Sequence, residues 1–345
     1  MKALVKTAKG PGFIEIRDVE VPKIPSPDWV LIRVKAAGIC GTDLHIWHDQ
    51  FQYWPPVVMG HEFAGVIVEV GANVKKWKAG DRVVAEPHSL ACGECEVCRR
   101  GQIQLCTSKR SPGWGIDGAF TEHLVMPASL LHEIPANVPD IIAAIAEPMA
   151  IVIHQVLERG GVEFRDCVVI SGAGPIGILA AFLAKKAGAG TVMVTGIGRS
   201  EEVRFPVCRK LGADYCVNVE KDDIAQRVRE LTGGRGADLV VEASGNPKAI
   251  AQSFELARIG GRVSAIGLAG GARVAVPWDT AILKVLDVSF NMSSSRTAWP
   301  KALSTLGAFH ESLSPYVTSV TSLERWEEAF NRLEAEKDVK TVFKV

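Results

Sequence analysis

The chain has no net charge to spend on a polyanion. Its 39 lysines and arginines balance 39 aspartates and glutamates over 345 residues. It lacks any run of five basic residues, and it lacks an acidic tail, so neither a nucleic-acid surface nor a charged solvating arm is encoded. Long hydrophobic runs are scarce too. The opening MKALVKTAKGPGFIEI is a lysine followed by a short strand-like pattern, without the apolar core of a signal peptide. The most apolar later stretch, IIAAIAEPMAIVI, is interrupted by Glu147 and Pro148 and falls short of the roughly 20 apolar residues of a membrane span. Internal repeats and low-complexity tracts are absent. These absences lead to the expectation of a cytoplasmic protein that engages neither membrane nor nucleic acid. In that reducing compartment clustered cysteines are metal ligands more often than disulfides.

What is present divides in two. About the first 150 residues are rich in glycine, proline and β-branched residues, and VLIRVKAAGI, EFAGVIVEVG and GDRVVAEP read as short strands. From residue 166 the pattern changes to a buried strand, a glycine turn, an Ala/Leu helix and a second buried strand, DCVVISGAGPIGILAAFLAKKAGAGTVMVTG. Short apolar runs (DYCVNV, ADLVVEASG, GGRVSAIG, LDVSFNMS) then alternate with helix-like segments such as DDIAQRVRELT and NPKAIAQSFELAR. That alternation predicts an α/β unit with a parallel sheet covered on both faces. The remainder carries two helical pieces and a last strand, KTVFKV.

Cysteine is sparse except in one segment. Cys92, Cys95, Cys98 and Cys106 take four of the eight thiols in the spacing C-x2-C-x2-C-x7-C. Such spacing lets thiolates from one lobe converge on a tetrahedral Zn²⁺, and four protein sulfurs close its coordination shell. Free thiols or a redox pair are the alternative. Cys167, Cys208 and Cys216 show no metal spacing and read as core or surface residues.

Gly172, Gly174 and Gly177 form G-x-G-x-x-G between the strand CVVIS and a helix starting near Pro175 and Ile176. Alone the pattern is weak, but strand before, helix after and a second strand ending about 20 residues on are the context of a dinucleotide site. The first glycine permits the turn, the second admits a pyrophosphate, and the third lets helix and strand pack. A ligand-free glycine turn is the bland alternative. Where an acidic residue would meet the adenosine ribose, the chain has Thr195 and Gly196, followed by Arg199, Ser200 and Arg204. A missing carboxylate with arginines nearby favours a 2′-phosphate, hence NADP over NAD. Alternatively the arginines are ordinary surface charges.

Two clusters stand in the first part: GICGTDLHIW, with Cys40, Thr42, Asp43 and His45, and MGHEFAG, with His61 and Glu62. A thiolate, an imidazole and a carboxylate from separate loops suit a catalytic zinc with one open position. Glu147, in AEPMAI, could reach the same site. Each has a plain reading alone: a buried thiol, a satisfied histidine, a charge in a first helical turn.

Taken in order, CGTDLH, GHEFAGVIVEVG, GDRVVAEP, the four-cysteine segment, GAFTEHLVMP, EPMAI and SGAGPIG resemble the zinc-dependent medium-chain dehydrogenases over essentially the whole chain, nearest the sorbitol/polyol and L-threonine branches. The resemblance implies a GroES-like β-rich catalytic domain from residues 1–150 and 296–345, with a structural-zinc lobe at about 88–110. A Rossmann domain, 151–295, would lie between these segments in sequence, with the active site in the cleft of the two. It implies Cys40, His61, Glu62 and Glu147 as catalytic-zinc ligands, and Thr42 and His45 as the proton relay. Asp43 would orient the loop, and Cys92, Cys95, Cys98 and Cys106 would hold the structural zinc, two zincs per chain in all. EASGNP and AIGLAGG, through Ala243, Ser244, Ile266 and Gly267, would hold the nicotinamide half of NAD(P). The implied reaction is oxidation of a secondary alcohol, with a homotetramer as the assembly and a dimer as its alternative.

For the substrate, EPMAI and FNMSSSRTAWPKAL favour a polyol, sugar alcohol, cyclitol or sugar. Glu147 stands where the threonine branch has aspartate, so L-threonine or another amino alcohol comes second. Trp47, Trp54 and Trp299 are candidates for the pocket wall, with core packing as the alternative. A non-catalytic zinc-lobe binding protein would leave the glycine turn and the first-part cluster unexplained.

Overall fold

The computed structural model describes all of residues 1–345. In chain order the elements are β1 (Lys2–Lys6), β2 (Ile14–Asp18), β3 (Trp29–Gly38), α1 (Gly41–Trp47), β4 (Val57–Val58), β5 (Glu62–Val70) and β6 (Arg82–Ala85). There follow α2 (Glu96–Arg99), β7 (His123–Pro127), β8 (Leu131–Glu133), α3 (Asp140–Ala143) and α4 (Ala146–Val152), the last running into a π-helix at Ile153–Arg159. The middle of the chain forms β9 (Cys167–Ser171), α5 (Pro175–Lys186), β10 (Thr191–Gly196), α6 (Arg204–Lys210), β11 (Tyr215–Asn218), α7 (Ile224–Thr232) and β12 (Ala237–Glu242). It continues with α8 (Pro247–Leu256), β13 (Ala257–Ala265), α9 (Trp278–Leu283) and β14 (Asp287–Phe290). Last come α10 (Ala298–Leu313), β15 (Val317–Thr321), α11 (Trp326–Glu334) and β16 (Lys340–Lys344).

By its internal contacts the chain forms two compact units. The first is Met1–Ala150, Ser295–Glu334 and Lys340–Val345; the second is Ile151–Ser294 with Ala335–Val339. The sequence expectation assigned all of 296–345 to the first unit, and the short segment Ala335–Val339 departs from it. Within that segment Glu336 pairs with Arg199 and Arg204 of the second unit.

The first unit holds a 7-stranded sheet, β15-β16-β3-β5-β6-β8 with β7 on β3, and a 3-stranded sheet, β2-β1-β4. Its pairings are antiparallel except β15 with β16. β3 follows from its sequence: β-branched and apolar residues dominate WVLIRVKAAG, and most of them are buried. The core gathers Ile32, Val34, Ile67, Phe120 and Phe343, with the two phenyl rings edge-on at 5.0 Å. Trp299, a candidate pocket residue, is instead core: fully buried and stacked on His132 at 5.4 Å.

The second unit is a 6-stranded sheet, β11-β10-β9-β12-β13-β14, parallel throughout. With β9 as the first strand this is the order 3-2-1-4-5-6 of a dinucleotide-binding α/β fold, in which ligands lie beyond the carboxyl ends of the strands. β9 and β12 are buried at every position, which explains their unbroken apolar runs. Two of its helices are capped by side chains. Asp223 accepts the Gln226 N–H at 3.0 Å at the start of α7, and Asn246 accepts the Lys248 N–H at 2.9 Å before Pro247 opens α8.

One expectation needs amending. Glu147 and Pro148 do not break the apolar stretch, because Asp140–Arg159 is a 20-residue helical run, long and apolar enough in composition to cross a bilayer. Its most apolar window is 72% buried within the protein, the signature of a core helix.

Candidate active site

Sheet register assembles the site. β3 and β5 pair so that Gly38 faces Glu62, and β16 pairs along the other edge of β3 with Val342 against Gly38. The chain leaves β3 through Ile39 and enters α1 at Cys40, whose backbone N–H donates to Asp43 Oδ2 at 2.8 Å. Asp43 thus closes the first turn of α1 and fixes the direction of Cys40. His61 comes just before β5, and Glu62 is its first residue. The ligand atoms of Cys40, His61 and Glu62 all lie within 4.8 Å of one another. Gly38 has to be glycine here: a Cβ would stand 2.4 Å from Glu62 Oε2.

Burial makes the cluster costly without a cation. Asp43 and Glu62 are fully buried and His61 is 4% exposed. Asp43 Oδ1, Glu62 Oε1 and His61 Nδ1 have no hydrogen-bond partner. Asp43 Oδ1 stands 3.8 Å from His61 Nδ1, an electrostatic contact rather than a hydrogen bond. Burial, reinforced by Glu62, pushes the Cys40 thiol far above its ordinary range. Burial likewise lifts the Asp43 carboxyl to about 6. One thiol, one imidazole and one carboxylate around unpaired acceptors are the donor set of an open zinc site, and a divalent cation is the charge that set lacks.

Glu147, in the first turn of α4, is not part of the three-residue group. It is buried within electrostatic reach, and burial, with Glu62 adding, raises its carboxyl to about 7 against the pull of His61, Lys340 and Lys109. Thr42 Oγ1 lies 3.7 Å from Cys40 Sγ. His45, one helical turn on and exposed, has Nδ1 3.3 Å from Gln50 Oε1. Trp114 meets His61 edge-on at 4.9 Å, and the exposed Trp54 carries the Arg110 guanidinium 4.0 Å over its ring. Trp47 packs against Trp326 and Phe330.

Two residues here carry no motif. Lys340, buried in β16, donates to Ile39 O at 2.8 Å and pairs with Glu62 Oε2 at 2.5 Å, which leaves Oε1 as the free oxygen. Tyr316 is fully buried with an unpartnered hydroxyl, and burial, Glu62, Cys40 and Glu147 all hold that hydroxyl in its protonated form. The only signal in the sequence is the lysine that opens the strand KTVFK, which is a poor fit to a buried position unless paired.

The four-cysteine segment folds as a lobe around α2, with Cys95 as its N-cap. All four thiols are free and their sulfurs lie within 4.8 Å of one another. Cys92 Sγ is 3.7 Å from Cys106 Sγ and 4.0 Å from Cys98 Sγ. A disulfide needs about 2.05 Å. A tetrahedron with Zn–S bonds of about 2.3 Å has edges of about 3.8 Å. Backbone N–H donation from Cys92 holds the Cys106 thiol down at about 6, while burial lifts Cys98 to about 12.

In the second unit Gly172 has φ +115°, and a Cβ on Gly177 would stand 1.9 Å from Gly172 O, so strand and helix close tightly there. Around Gly174 nothing lies within 4 Å of such a Cβ, which leaves the N-terminus of α5 an open cradle for a pyrophosphate. Pro175 occupies the first helical position and Ile176 follows it, both half-buried. Glu242, at the end of β12, gathers Ser244 N and Oγ at 2.9 and 2.5 Å, and its backbone O accepts from Ile266 and Gly267. Ala243 N–H donates to Ser171 O, so the carboxyl ends of β9, β12 and β13 meet at this point. Thr195 is buried, and a side chain on Gly196 would meet Phe205 at 2.8 Å, which accounts for the missing acid at the end of β10.

Residues 26–136 match the alcohol dehydrogenase GroES-like domain, and residues 175–308 match the zinc-binding dehydrogenase domain. A sorbitol dehydrogenase of Halalkalibacterium halodurans is 35% identical, over 99% of this chain and 98% of the relative. An L-threonine 3-dehydrogenase of Pyrococcus horikoshii is 36% identical over 99% and 98%. The solved structure of a zinc-binding dehydrogenase from Sinorhizobium meliloti bound to NADP superposes with a TM-score of 0.92 at 30% identity, over 100% of this chain and 99% of that one. The chain belongs to the zinc-dependent medium-chain alcohol dehydrogenase family. It is accordingly an NAD(P)-dependent oxidoreductase of alcohols.

Proposed function

We propose that the chain is a polyol dehydrogenase in which Cys40, His61 and Glu62 hold a catalytic zinc and the four-cysteine lobe holds a structural one. The observation that carries this reading is the buried Cys40–His61–Glu62 group with its unpartnered Asp43 Oδ1, Glu62 Oε1 and His61 Nδ1. When bound, zinc supplies Lewis acidity toward an alcohol oxygen and the nicotinamide supplies the hydride acceptor. The chain's residues do the rest. Lys340 fixes Glu62 Oε2, Asp43 holds the turn at Cys40, and its second oxygen faces His61. The Thr42 hydroxyl would relay the alcohol proton, giving up its own as it accepts, and His45, exposed one helical turn away, would be the group that delivers a proton to water. Glu147, buried within electrostatic reach of His61 and Glu62, would serve as a fourth donor.

The α5 N-terminus receives the pyrophosphate, residues 195–204 receive the adenosine ribose, and 243–244 with 266–267 receive the nicotinamide half. Arg199 and Arg204 incline the choice toward NADP to the extent that Glu336, which pairs with both, leaves their charge available. A polyol substrate is supported by the sorbitol dehydrogenase relative and by glutamate at 147; L-threonine is the second reading, supported by the Pyrococcus relative. A homotetramer is supported by the edge position of β14 and the exposure of Leu283 and Phe290, at 79% and 76%. Free thiols at a metal-ligand spacing support a cytoplasmic home.

Initial rates in zinc-replete buffer, with sorbitol, xylitol, galactitol, ribitol, myo-inositol and L-threonine against NAD⁺ and NADP⁺, test the reading. Turnover of a polyol is expected. Turnover of L-threonine alone would replace the substrate and keep the site.

A further inference from the structure

The turn after β10 lacks an acidic residue in sequence, yet a carboxylate stands there. Glu336, from the segment Ala335–Val339, places Oε1 3.1 Å from Arg199 Nε and Oε2 3.0 Å from Arg204 Nη1. Ser200 Oγ donates to Oε2 at 2.8 Å. The Glu336 side chain is only 11% exposed, and its backbone sits at φ +57°, a left-handed conformation that costs energy in a non-glycine residue. Three side chains of one turn therefore converge on a single strained residue from a distant part of the chain.

We propose that Glu336 is the residue that sets the NADP-to-NAD preference, by claiming guanidinium charge that a 2′-phosphate would otherwise meet. The inference rests on the reading of residues 195–204 as the adenosine-ribose site. Arg204 is nearly buried with its Nη1 on Glu336, whereas Arg199 is 59% exposed and shares its charge with Glu336. Of the other charged groups nearby, Lys221 binds Glu201 at 2.8 Å, Glu220 accepts the Gly198 N–H at 2.7 Å, and Glu202 is exposed. Arg199, Arg204 and Lys221 thus face Glu201, Glu202, Glu220 and Glu336. A 2′-phosphate arriving here meets arginines whose charge Glu336 already claims, and a ribose 2′-hydroxyl meets the same turn without penalty. Removing the Glu336 charge frees guanidinium charge beside the subsite. That change favours a phosphate dianion and leaves a hydroxyl indifferent.

The test uses the zinc-loaded protein and measures dissociation constants for NADP⁺, NAD⁺ and 2′-AMP in wild type, Glu336→Gln and Arg199→Gln, with thermal melts as a check of folding. Glu336→Gln keeps the side-chain shape. It is expected to tighten NADP⁺ and 2′-AMP about tenfold at low salt, ~1.4 kcal/mol, with NAD⁺ changed less than about twofold and the gain shrinking as salt rises. Should that variant melt early, the double variant Glu336→Gln/Arg204→Gln removes one charge of each sign, keeps the wild-type balance, and is expected to return NADP⁺ binding to the wild-type value. An unchanged NADP⁺-to-NAD⁺ ratio in Glu336→Gln, with NADP⁺ weakened in Arg199→Gln, overturns the role of Glu336 and leaves the ribose site standing. No change in either variant for either nucleotide overturns both.

Discussion

Gly38→Ala adds one methyl group at the point where β3 faces Glu62, and its consequence can be worked out from distances. The new Cβ would stand 2.4 Å from Glu62 Oε2, 3.3 Å from Glu62 Cβ and 3.3 Å from Lys340 Cε. Ordinary contact begins at 3.4 Å, so the carboxylate has to retreat by about 1 Å. The backbone is not obstructed, because all three neighbours are side-chain atoms. The displacement therefore falls on the Glu62–Lys340 ion pair and on the free Oε1. Overpacking of this size costs about 1–3 kcal/mol of stability. A misplacement of about 1 Å at a reacting centre costs on the order of 10²-fold in rate. Zinc per chain by mass spectrometry, together with kcat/KM, is the assay. The expected result is a folded protein that keeps the zinc of the cysteine lobe, loses most of the other, and turns over about a hundredfold more slowly. Full zinc content with wild-type kcat/KM would refute the assignment of Glu62 as a ligand.

Three further outcomes follow from individual contacts. Lys340→Met leaves the Glu62 carboxylate buried and unpaired, so the metal-free protein should lose about 3–5 kcal/mol in denaturant titration, and the zinc-loaded protein distinctly less because the cation replaces the lost charge. Cys106→Ser removes the most acidic thiol of the lobe and should cut zinc content by about one per chain and lower the melting temperature, while the Cys40 site still binds metal. Although burial opposes it, the Cys167 N–H and Arg258 hold the Asp238 carboxyl below its usual range. Its stabilisation is present above the unfolded value near 3.8 and is lost as pH falls through the lower folded value. Asp238→Asn should therefore destabilise the protein by about 1–3 kcal/mol at neutral pH and flatten its acid-unfolding curve, as read by circular dichroism.

The parts of the site legible in sequence are those that local chain geometry demands. Four cysteines within 15 residues of one another meet because the lobe is short, and the glycine turn declares itself because a Cβ at Gly177 would strike Gly172 O. Cys40, His61 and Glu62 could be grouped because β3 and β5 are recognisable strands whose ends carry them. Lys340, Tyr316 and Glu336 escaped because nothing near them in the chain points to a partner. Lys340 reaches Glu62 only through the register of β16 on β3, and Glu336 reaches Arg204 only because its segment leaves the first unit. Trp299 could be read either way because an indole looks the same in sequence whether it lines a pocket or stacks on a buried histidine, and the structure selects the core alternative. The arginines after β10 could be counted from the sequence, but their neutralisation by a carboxylate more than a hundred residues away could not.

The most direct test of the account is the zinc content and turnover of Cys40→Ser beside the wild type, both purified in zinc-replete buffer. The expected wild-type value is about two zincs per chain, falling to about one in Cys40→Ser, with turnover abolished and circular dichroism unchanged. Wild-type turnover in a Cys40→Ser protein that has lost that zinc would contradict the claim that the chemistry resides at Cys40, His61 and Glu62.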